Sequence, residues 1–294
     1  MTPKKLAASI IRKLQYWHML DCLSDTLYLK AVYWMKTGKK LNLNHPVSFN
    51  EKLQWLKIYD RKDIYTTMVD KYEVKKYVAE ILGDRYIVPT LGVWDKFDDI
   101  DFNGLPEKFV LKCTHDSGGL VVCRDKNKLD FDVVRKKLET SLENNYYIYG
   151  REWPYKNVKP RIIAEQFLDD GHGSGLFDYK FYCFNGEPRY LYVSTGLENH
   201  ETAQISFLTL DWTFAEFRRS DFKPFEQLPE KPSKFDEMIK VARELSSGTK
   251  FLRVDLYEVN GNVYFSELTF SPCSGMMPFS DEKYNIMLGN MIDL

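Results

Sequence analysis

Residues 253–270 read RVDLYEVNGNVYFSELTF and combine two β-strand patterns with a tight turn. Both halves alternate apolar and polar residues and are rich in Val, Tyr and Phe, while Asn260-Gly261 between them is a strong short-range hairpin signal. Asp255 lies in the first half and Glu267 in the second. The segment therefore predicts an antiparallel hairpin in the C-terminal part of the chain, with a carboxylate on each arm.

The length of the turn decides whether the two acids share a face of the sheet. With a two-residue turn at Asn260-Gly261, Asp255 and Glu267 project from opposite faces. A three-residue turn, Val259 to Gly261 with a left-handed glycine in a bulge, places them on one face as diagonal neighbours about 7 Å apart. We expect the three-residue turn, because that separation suits two carboxylates meeting at one divalent ion; two solvated acids on an edge hairpin are the alternative.

Composition narrows the class of protein. The chain has 294 residues and a net charge of −1, so it can form one or two domains, and its charge does not indicate nucleic-acid binding. Five cysteines without a CxxC pair are typical of a reduced intracellular protein, and five histidines without HxxxH or HExxH predict no zinc site. No apolar run reaches the roughly 18 residues of a membrane span. We expect a cytoplasmic protein.

The first twenty residues predict a basic amphipathic helix. Four cations, and no acid before Asp21, are interleaved with apolar residues over 4–20. Such a helix either packs its apolar stripe on the body of the protein or contacts an anionic membrane surface or a partner complex from its basic face.

The rest of the chain predicts three regions of an α+β protein. Region 1–82 is helical, with further helices predicted at 22–36, at 49–60 behind a Ser48-Phe-Asn-Glu start signal, and at 64–82. Region 83–158 is a small α+β lobe, with strands at 108–114 and 119–124 and a helix at 131–143. Region 159–294 is a larger antiparallel lobe, with strands at 161–168, 178–184, 188–194 and 205–211 and a helix at 235–245. A cleft between the two lobes is the expected ligand site.

Two segments could hold a nucleotide. Lys112 ends a strand before the turn Thr114-His-Asp-Ser-Gly-Gly119, and a lysine beside a glycine-rich turn suits phosphates, although such a turn is also an ordinary hairpin connection. RIIAEQFLDDG places Glu165 near the end of an apolar strand and Asp169 and Asp170 before a glycine. Backbone groups there suit an adenine edge, and the acids suit ribose hydroxyls.

Two further features lie in and after the hairpin. Arg253 is two residues before Asp255, so the two share a strand face; the guanidinium either neutralises a transferring phosphoryl group or forms a surface ion pair worth at most about 1 kcal/mol. SPCSGMMPF (271–279) supplies small residues for a substrate loop or for an ordinary loop.

The order of these segments resembles the ATP-grasp superfamily. PVSFNEKLQWLKIYDRKD, DKYEVKKYVAEILGDRYIVPTLGVWD, LPEKFVLKCTHDSGG and FDYKFYCFNGEP are similar to the teichuronopeptide-biosynthesis (TupA-like) branch, over about residues 40 to 280. The resemblance implies an ATP-grasp fold, in which two α+β lobes clasp a nucleotide, with ATP and Mg²⁺ as cofactors. Helices here take the place of the α/β domain that usually precedes those lobes.

The resemblance also implies a role for individual residues. The implied nucleotide-binding residues are Lys71 and Lys112 for the phosphates, Ser117, Gly118 and Gly119 in the phosphate lid, Glu165 with the backbone of Gln166 and Leu168 for adenine, and Asp169 or Asp170 for the ribose. The implied metal ligands are Asp255, Glu267 and Thr269, the last standing where many relatives have Asn. Arg253 would stabilise the transferring phosphoryl group, Lys180 would contact phosphate or substrate, and Ser274 and Gly275 would line the substrate loop.

The activity that the resemblance implies is an ADP-forming carboxylate–amine ligase with an acyl-phosphate intermediate. It would act in surface or capsular polysaccharide biosynthesis, joining an amino acid or amino sugar to a uronic acid. A phosphotransferase acting on a sugar hydroxyl, and a non-catalytic nucleotide-binding scaffold on a glycan-synthesis complex, are the alternatives.

Overall fold

The computed structural model describes residues 13–14, 19–170, 176–197 and 202–294. Most of the helix predicted over 4–20, including all but one of its basic residues, lies outside these ranges. In the described ranges, no helix is long and apolar enough to cross a membrane. The described chain contains helices and two antiparallel sheets, as expected for an α+β protein.

The N-terminal part of the described chain is helical. Its helices are α1 (Asp25–Thr37), α2 (Phe49–Tyr59), α3 (Ile64–Val69) and α4 (Glu73–Leu82). The predicted start signal of α2 is confirmed as a capping box, in which the Glu51 N–H donates to Ser48 Oγ at 3.3 Å and the Ser48 N–H donates to Glu51 Oε2 at 3.1 Å.

The single helix expected over 64–82 is wrong, because the chain breaks between α3 and α4. The break is at Asp70, whose Oδ1 accepts hydrogen bonds from the backbone N–H groups of Tyr72 and Glu73 at 2.8 and 3.2 Å. A carboxylate that takes these donors starts a new helix, so it interrupts the pattern that the apolar residues alone suggest.

The smaller sheet has four strands in the order β1-β4-β2-β3. They are β1 (Thr90–Trp94), β2 (Phe109–Cys113), β3 (Leu120–Cys123) and β4 (Ile162–Gln166), and α5 (Phe131–Glu143) covers one face. β4 pairs with both β1 and β2, so it belongs to the smaller sheet although it lies after the expected boundary at residue 158. The chain crosses from the smaller to the larger sheet after β4. The short helix α6 (Tyr146–Gly150) lies in the connection before β4.

The larger sheet has five strands in the order β7-β6-β5-β8-β9. They are β5 (Asp178–Phe184), β6 (Glu187–Thr195), β7 (Gln204–Thr209), β8 (Phe251–Val259) and β9 (Asn262–Thr269), with α7 (Phe235–Ser246) before β8 and α8 (Glu282–Gly289) after β9. All neighbouring strands run antiparallel, as the alternating patterns predict.

Each face of the larger sheet has its own apolar core. Phe181 and Val254 pack with α7, α3 and α4 on one face. Tyr182 and Phe251 pack with α2 and α8 on the other. Side chains alternate along a strand, so Lys180, Arg253 and Asp255 project toward the α2 face, beside its apolar core.

Candidate active site

The hairpin of β8 and β9 brings the two acids together by a route that differs from the expected one. Asn260 and Gly261 form a two-residue turn with φ of 51° and 73°, closed by the pair Val259 and Asn262, so the expectation of a three-residue turn is wrong. The register then shifts by one residue between Asp255 and Leu256, where β9 has an extra residue. This bulge makes Asp255 face Glu267 directly, and the acids share one face of the sheet.

Arg253 bridges the two carboxylates. Its Nε donates to Asp255 Oδ1 at 2.7 Å, and its Nη2 donates to Asp255 Oδ2 at 2.6 Å and to Glu267 Oε1 at 2.7 Å. Arg253 and Asp255 are both buried, with 8% and 0% of their surface exposed. The alternative of a solvated surface ion pair is therefore wrong.

Lys180 and Thr269 complete this charged cluster. Lys180 Nζ lies 2.7 Å from Asp255 Oδ2 and 3.3 Å from Asp178 Oδ1, because β5 pairs directly with β8. The Thr269 hydroxyl donates to Glu267 Oε1 at 3.1 Å. Burial opposes ionisation of Glu267, but the positive charges of Arg253 and of the nearby lysines outweigh it and lower the pKa of Glu267 to about 2.

A second charged cluster lies on the smaller sheet. Glu165 on β4 is buried and places one oxygen on each of two lysines: Oε1 is 2.5 Å from Lys75 Nζ, and Oε2 is 2.5 Å from Lys112 Nζ. Lys75 lies on α4 and also donates to the Val88 carbonyl at 2.6 Å. The two lysines therefore converge on the residue expected to hold adenine, and the adenine role of Glu165 stays a prediction.

The glycine-rich turn is the connection between β2 and β3. It is tied down by Asp116, whose carboxylate accepts from the Gly119 N–H at 3.2 Å and from the Ser141 hydroxyl of α5. Lys71 reaches the turn from the α3–α4 break, with Nζ donating to the Asp116 carbonyl and its N–H donating to the Thr114 carbonyl at 3.0 Å. This geometry connects Lys71 to the expected phosphate lid.

Gly118 and Gly119 have different environments. A Cβ on Gly119 would collide with Ser141 Oγ and lie 2.6 Å from Cys113 Sγ, whereas a Cβ on Gly118 would meet nothing nearer than 3.5 Å. Gly119 is therefore required for the close approach of the turn to α5. The Ser117 hydroxyl donates to the Tyr146 hydroxyl at 3.4 Å, so α6 also borders the turn.

The residues expected around adenine and ribose lie at the end of β4 and just beyond it. The Gln166 N–H donates to the Pro89 carbonyl at 3.0 Å, so this backbone donor is engaged within the protein. Leu168, Asp169 and Asp170 follow in the link toward β5, and Asp169 Oδ2 lies 3.0 Å from Lys108 Nζ. Their nucleotide roles stay predictions.

The segment after β9 forms a turn of unusual backbone conformation. Cys273, Ser274 and Gly275 have φ of 52°, 52° and 65°, so two residues with side chains adopt the left-handed region. That conformation costs roughly 1–2 kcal/mol for each residue with a Cβ. Ser274 and Gly275, the expected substrate-loop residues, thus lie in a turn that surrounding contacts must hold.

The family assignment follows from the sequence as a whole. The family model of TupA-like ATP-grasp proteins matches residues 51–293, which include every charged residue of both clusters. The chain belongs to the TupA-like ATP-grasp family.

Solved ATP-grasp structures are similar to this TupA-like protein, at low identity. The D-alanine–D-alanine ligase from Bacillus anthracis complexed with ATP has 17% identity and a TM-score of 0.41 over 69% of this chain and 55% of its own. The corresponding ligase from Helicobacter pylori has 14% identity and a TM-score of 0.46, and the match covers 84% of this chain and 67% of its own. The RimK domain ATP-grasp protein from Sphaerobacter thermophilus has 12% identity and a TM-score of 0.43, and the match covers 79% of this chain and 70% of its own.

The family assignment rests on the family model, which matches residues 51–293. The TupA-like chain spans little more than half of the length of the Bacillus anthracis ligase. No curated protein matches its sequence.

The first cluster of the TupA-like protein fits a magnesium ion by donor type. Mg²⁺ is usually held by one or two carboxylates together with substrate phosphates. Asp255 and Glu267 face each other, but both Asp255 oxygens are bound by Arg253 and Lys180, so Asp255 would have to release one of these cations to bind the ion. Within the described ranges, the hydrogen bonds of Glu267 all use Oε1, which leaves Oε2 for a cation. In the part of the chain that the structure describes, no group of three or more His, Cys, Asp or Glu residues could hold a metal ion.

The structure gathers the expected site residues into groups. Arg253, Lys180, Asp255, Glu267 and Thr269 form one cluster, Lys112 and Glu165 lie in the second, and Lys71 joins the glycine-rich turn. The sequence did not indicate Lys75 as a member of the site, because the pattern of an amphipathic helix does not show which of its lysines point toward the interior of the protein.

Proposed function

We propose that this chain is an ATP- and Mg²⁺-dependent carboxylate–amine ligase that forms an acyl phosphate and releases ADP and Pi. The observation that carries the proposal is the bridge that buried Arg253 makes between two directly facing carboxylates. A fixed cation beside a carboxylate pair suits a transferring phosphoryl group, because charge neutralisation is its main catalytic need.

The chain's own residues would bind and orient the reactants. Asp255 holds the Arg253 guanidinium by two hydrogen bonds, so its remaining donor edge is fixed toward Glu267. Lys112 of the smaller lobe and Lys71, at the break between α3 and α4, would contact ATP phosphates. Mg²⁺, held by Asp255 and Glu267 with Thr269 beside them, would supply a charge clamp and template between the phosphates.

The proposed reaction has two steps and needs no covalent intermediate on the enzyme. A carboxylate oxygen of the acceptor attacks the γ-phosphorus of ATP and ADP leaves, which gives an acyl phosphate. The amine attacks the acyl carbon, phosphate leaves with the bonding electrons, and the amine loses one proton as the amide forms. The protein supplies orientation and charge in both steps, so no side chain has to act as a covalent nucleophile.

We propose a uronic acid of a surface or capsular polysaccharide as the acceptor, and an amino acid or amino sugar as the amine. The support is the resemblance to teichuronopeptide-biosynthesis proteins. The basic N-terminal segment would contact a glycan-synthesis complex or an anionic membrane surface.

A product assay tests the reaction. The purified chain is incubated with ATP, Mg²⁺, D-glucuronate or a uronic-acid oligosaccharide, and a panel of amino acids and amino sugars, and free Pi and amide product are measured. Pi release that needs carboxylate, amine and Mg²⁺ together, and is lost in Glu267→Gln, is the expected result.

Two other results would replace the proposal. Phosphate retained on the acceptor without free Pi would make the protein a phosphotransferase. ATP binding that is unchanged in Asp255→Asn, with no turnover of any acceptor, would favour a nucleotide-binding scaffold.

A further inference from the structure

Helix α2 carries a row of buried polar side chains. Asn50, Gln54 and Lys57 lie four and three residues apart, so they project from one side of the helix, and 3% or less of Gln54 and Lys57 is exposed. Buried polar groups are costly unless they are hydrogen-bonded, so this row requires a partner. The partner is the segment of chain just after β9.

Gln54 and Lys57 hold the left-handed turn by its backbone. Gln54 Nε2 donates to the Ser274 and Gly275 carbonyls at 3.0 and 2.7 Å, and Lys57 Nζ donates to the Ser274 carbonyl and hydroxyl at 2.8 and 3.0 Å. Lys57 also donates to Gln54 Oε1 at 3.2 Å and to the Gly150 carbonyl of α6 at 2.8 Å. One connected network therefore spans α2, α6 and the turn.

The next part of the turn is held by the third member of the row. Asn50 makes a reciprocal pair with Met277: its Nδ2 donates to the Met277 carbonyl, and its Oδ1 accepts from the Met277 N–H, both at 3.0 Å. Gly275 is required for the close approach, because a Cβ there would lie 2.5 Å from Gln54 Nε2. The row thus binds main-chain atoms over 274–277.

The turn lies close in sequence to the charged cluster of the larger sheet. It begins at Cys273, four residues after Thr269, and Thr269 pairs directly with Arg253 across β8 and β9. Burial raises the pKa of the Glu152 carboxyl, and the positive charge of Lys57 opposes that rise. A left-handed turn of residues with side chains persists only where its surroundings hold it, and such turns concentrate at functional sites.

We propose that Gln54 and Lys57 are positioning residues that hold the Cys273–Gly275 turn in the shape that seats the acceptor beside Arg253. The inference rests on the proposed function, since it concerns the acceptor of that same reaction.

The test compares Lys57→Met and Gln54→Leu with Lys52→Met. Lys52 lies on the same helix and, among the residues that the structure describes, its Nζ donates to the Ile292 carbonyl and not to the turn, so it is a matched control. Three quantities are measured: hydrogen exchange of the backbone amides at 273–277, affinity for ATP with Mg²⁺, and the KM and kcat for D-glucuronate with hydroxylamine as the amine. Gln54→Leu keeps the Lys57 charge beside Glu152, so it serves if Lys57→Met does not fold.

The expected result is a specific change at the turn. Exchange at 273–277 and the KM for D-glucuronate should rise at least about tenfold in both turn variants, with ATP affinity within about threefold of wild type and no change in Lys52→Met. Unchanged exchange at the turn, or an equal rise in Lys52→Met, would overturn the inference.

The hydrogen-exchange measurement distinguishes a failure of this inference from a failure of the proposed function. If wild type does not turn over D-glucuronate, the uronate proposal fails, while faster exchange confined to the turn still supports the positioning role. If wild type is active and both turn variants keep its KM, the positioning role fails while the ligase proposal stands.

Discussion

Asp255 faces Glu267 directly across β8 and β9 because one extra residue in β9 shifts the register beside Asp255. A two-residue turn alone would place the two acids on opposite faces, and the bulge reverses that parity. The two carboxylates nevertheless differ in environment: Asp255 is fully buried between Arg253 and Lys180, whereas about a third of the Glu267 side chain is exposed. Their substitutions should therefore have different effects.

Asp255→Asn should mainly lower the stability of the folded protein, and Glu267→Gln should mainly reduce the Mg²⁺ dependence of ATP binding. Removing the Asp255 charge leaves two buried cations short of a partner, a loss of about 3 kcal/mol or more, while Glu267→Gln should change the free energy of unfolding by about 1 kcal/mol or less. Denaturant unfolding and calorimetric titration of ATP with and without Mg²⁺ measure both effects. Glu258→Gln on the same hairpin is the control, and Mg²⁺-dependent binding that survives in Glu267→Gln would refute the metal role.

Gly261→Ala should destabilise the protein through backbone conformation alone. Gly261 has φ of 73° and a Cβ there would meet nothing within 4 Å, so the only cost is the left-handed conformation, about 1 kcal/mol. Gly118→Ala, where φ is not positive, should cost less in the same denaturant titration. Equal losses in the free energy of unfolding of the two variants would show that the left-handed conformation of Gly261 is not the cause of the destabilisation.

The strand and helix patterns could be predicted from sequence, while the geometry of the hairpin could not. Strand 178–184 and helix 131–143 match their predicted bounds, because alternation and amphipathic spacing are local properties. The bulge beside Asp255 depends on how β9 registers against β8 after a tight turn. No residue type in the segment marks it, so the predicted shared face was correct and the predicted turn was wrong.

The site residues that sequence did not reveal are buried lysines. Lys57 and Lys75 stand in amphipathic helices, where a lysine is ordinarily solvated. Their burial comes from distant partners: Lys57 contacts Ser274, and Lys75 contacts Glu165. Such contacts are set by tertiary packing, so neither spacing nor composition within α2 or α4 could indicate them.

Gly119→Ala should displace the glycine-rich turn from α5. The added Cβ would collide with Ser141 Oγ and lie 2.6 Å from Cys113 Sγ, so we expect a loss of about 1–3 kcal/mol in the free energy of unfolding. Gly118→Ala is the matched control one residue away, where the nearest atom would be 3.5 Å from the new Cβ. Thermal unfolding of both variants measures the difference, and a Gly119→Ala protein as stable as its control would contradict the close packing.

Glu165 should make the folded protein sensitive to acid. Burial alone would raise the pKa of this carboxyl, but the positive charges of Lys112 and Lys75 outweigh burial and lower the pKa below its usual value of 4.5. A group whose pKa is lower in the folded state binds more protons when unfolded. Its stabilisation is therefore fully present above about pH 4.5 and is lost as the pH falls through the folded pKa.

Glu165→Gln should consequently be less stable than wild type at neutral pH, by about 3 kcal/mol, because two lysines lose their shared carboxylate. Its stability should also fall less steeply than that of wild type between about pH 5 and about pH 3, since the titrating group has been removed. Urea unfolding over this range measures both slopes. Glu80→Gln on the exposed side of α4, where the nearest cation is Lys76 at 3.9 Å, should keep the wild-type slope. An identical slope for Glu165→Gln and wild type would mean that the two lysines do not stabilise the ionised carboxylate.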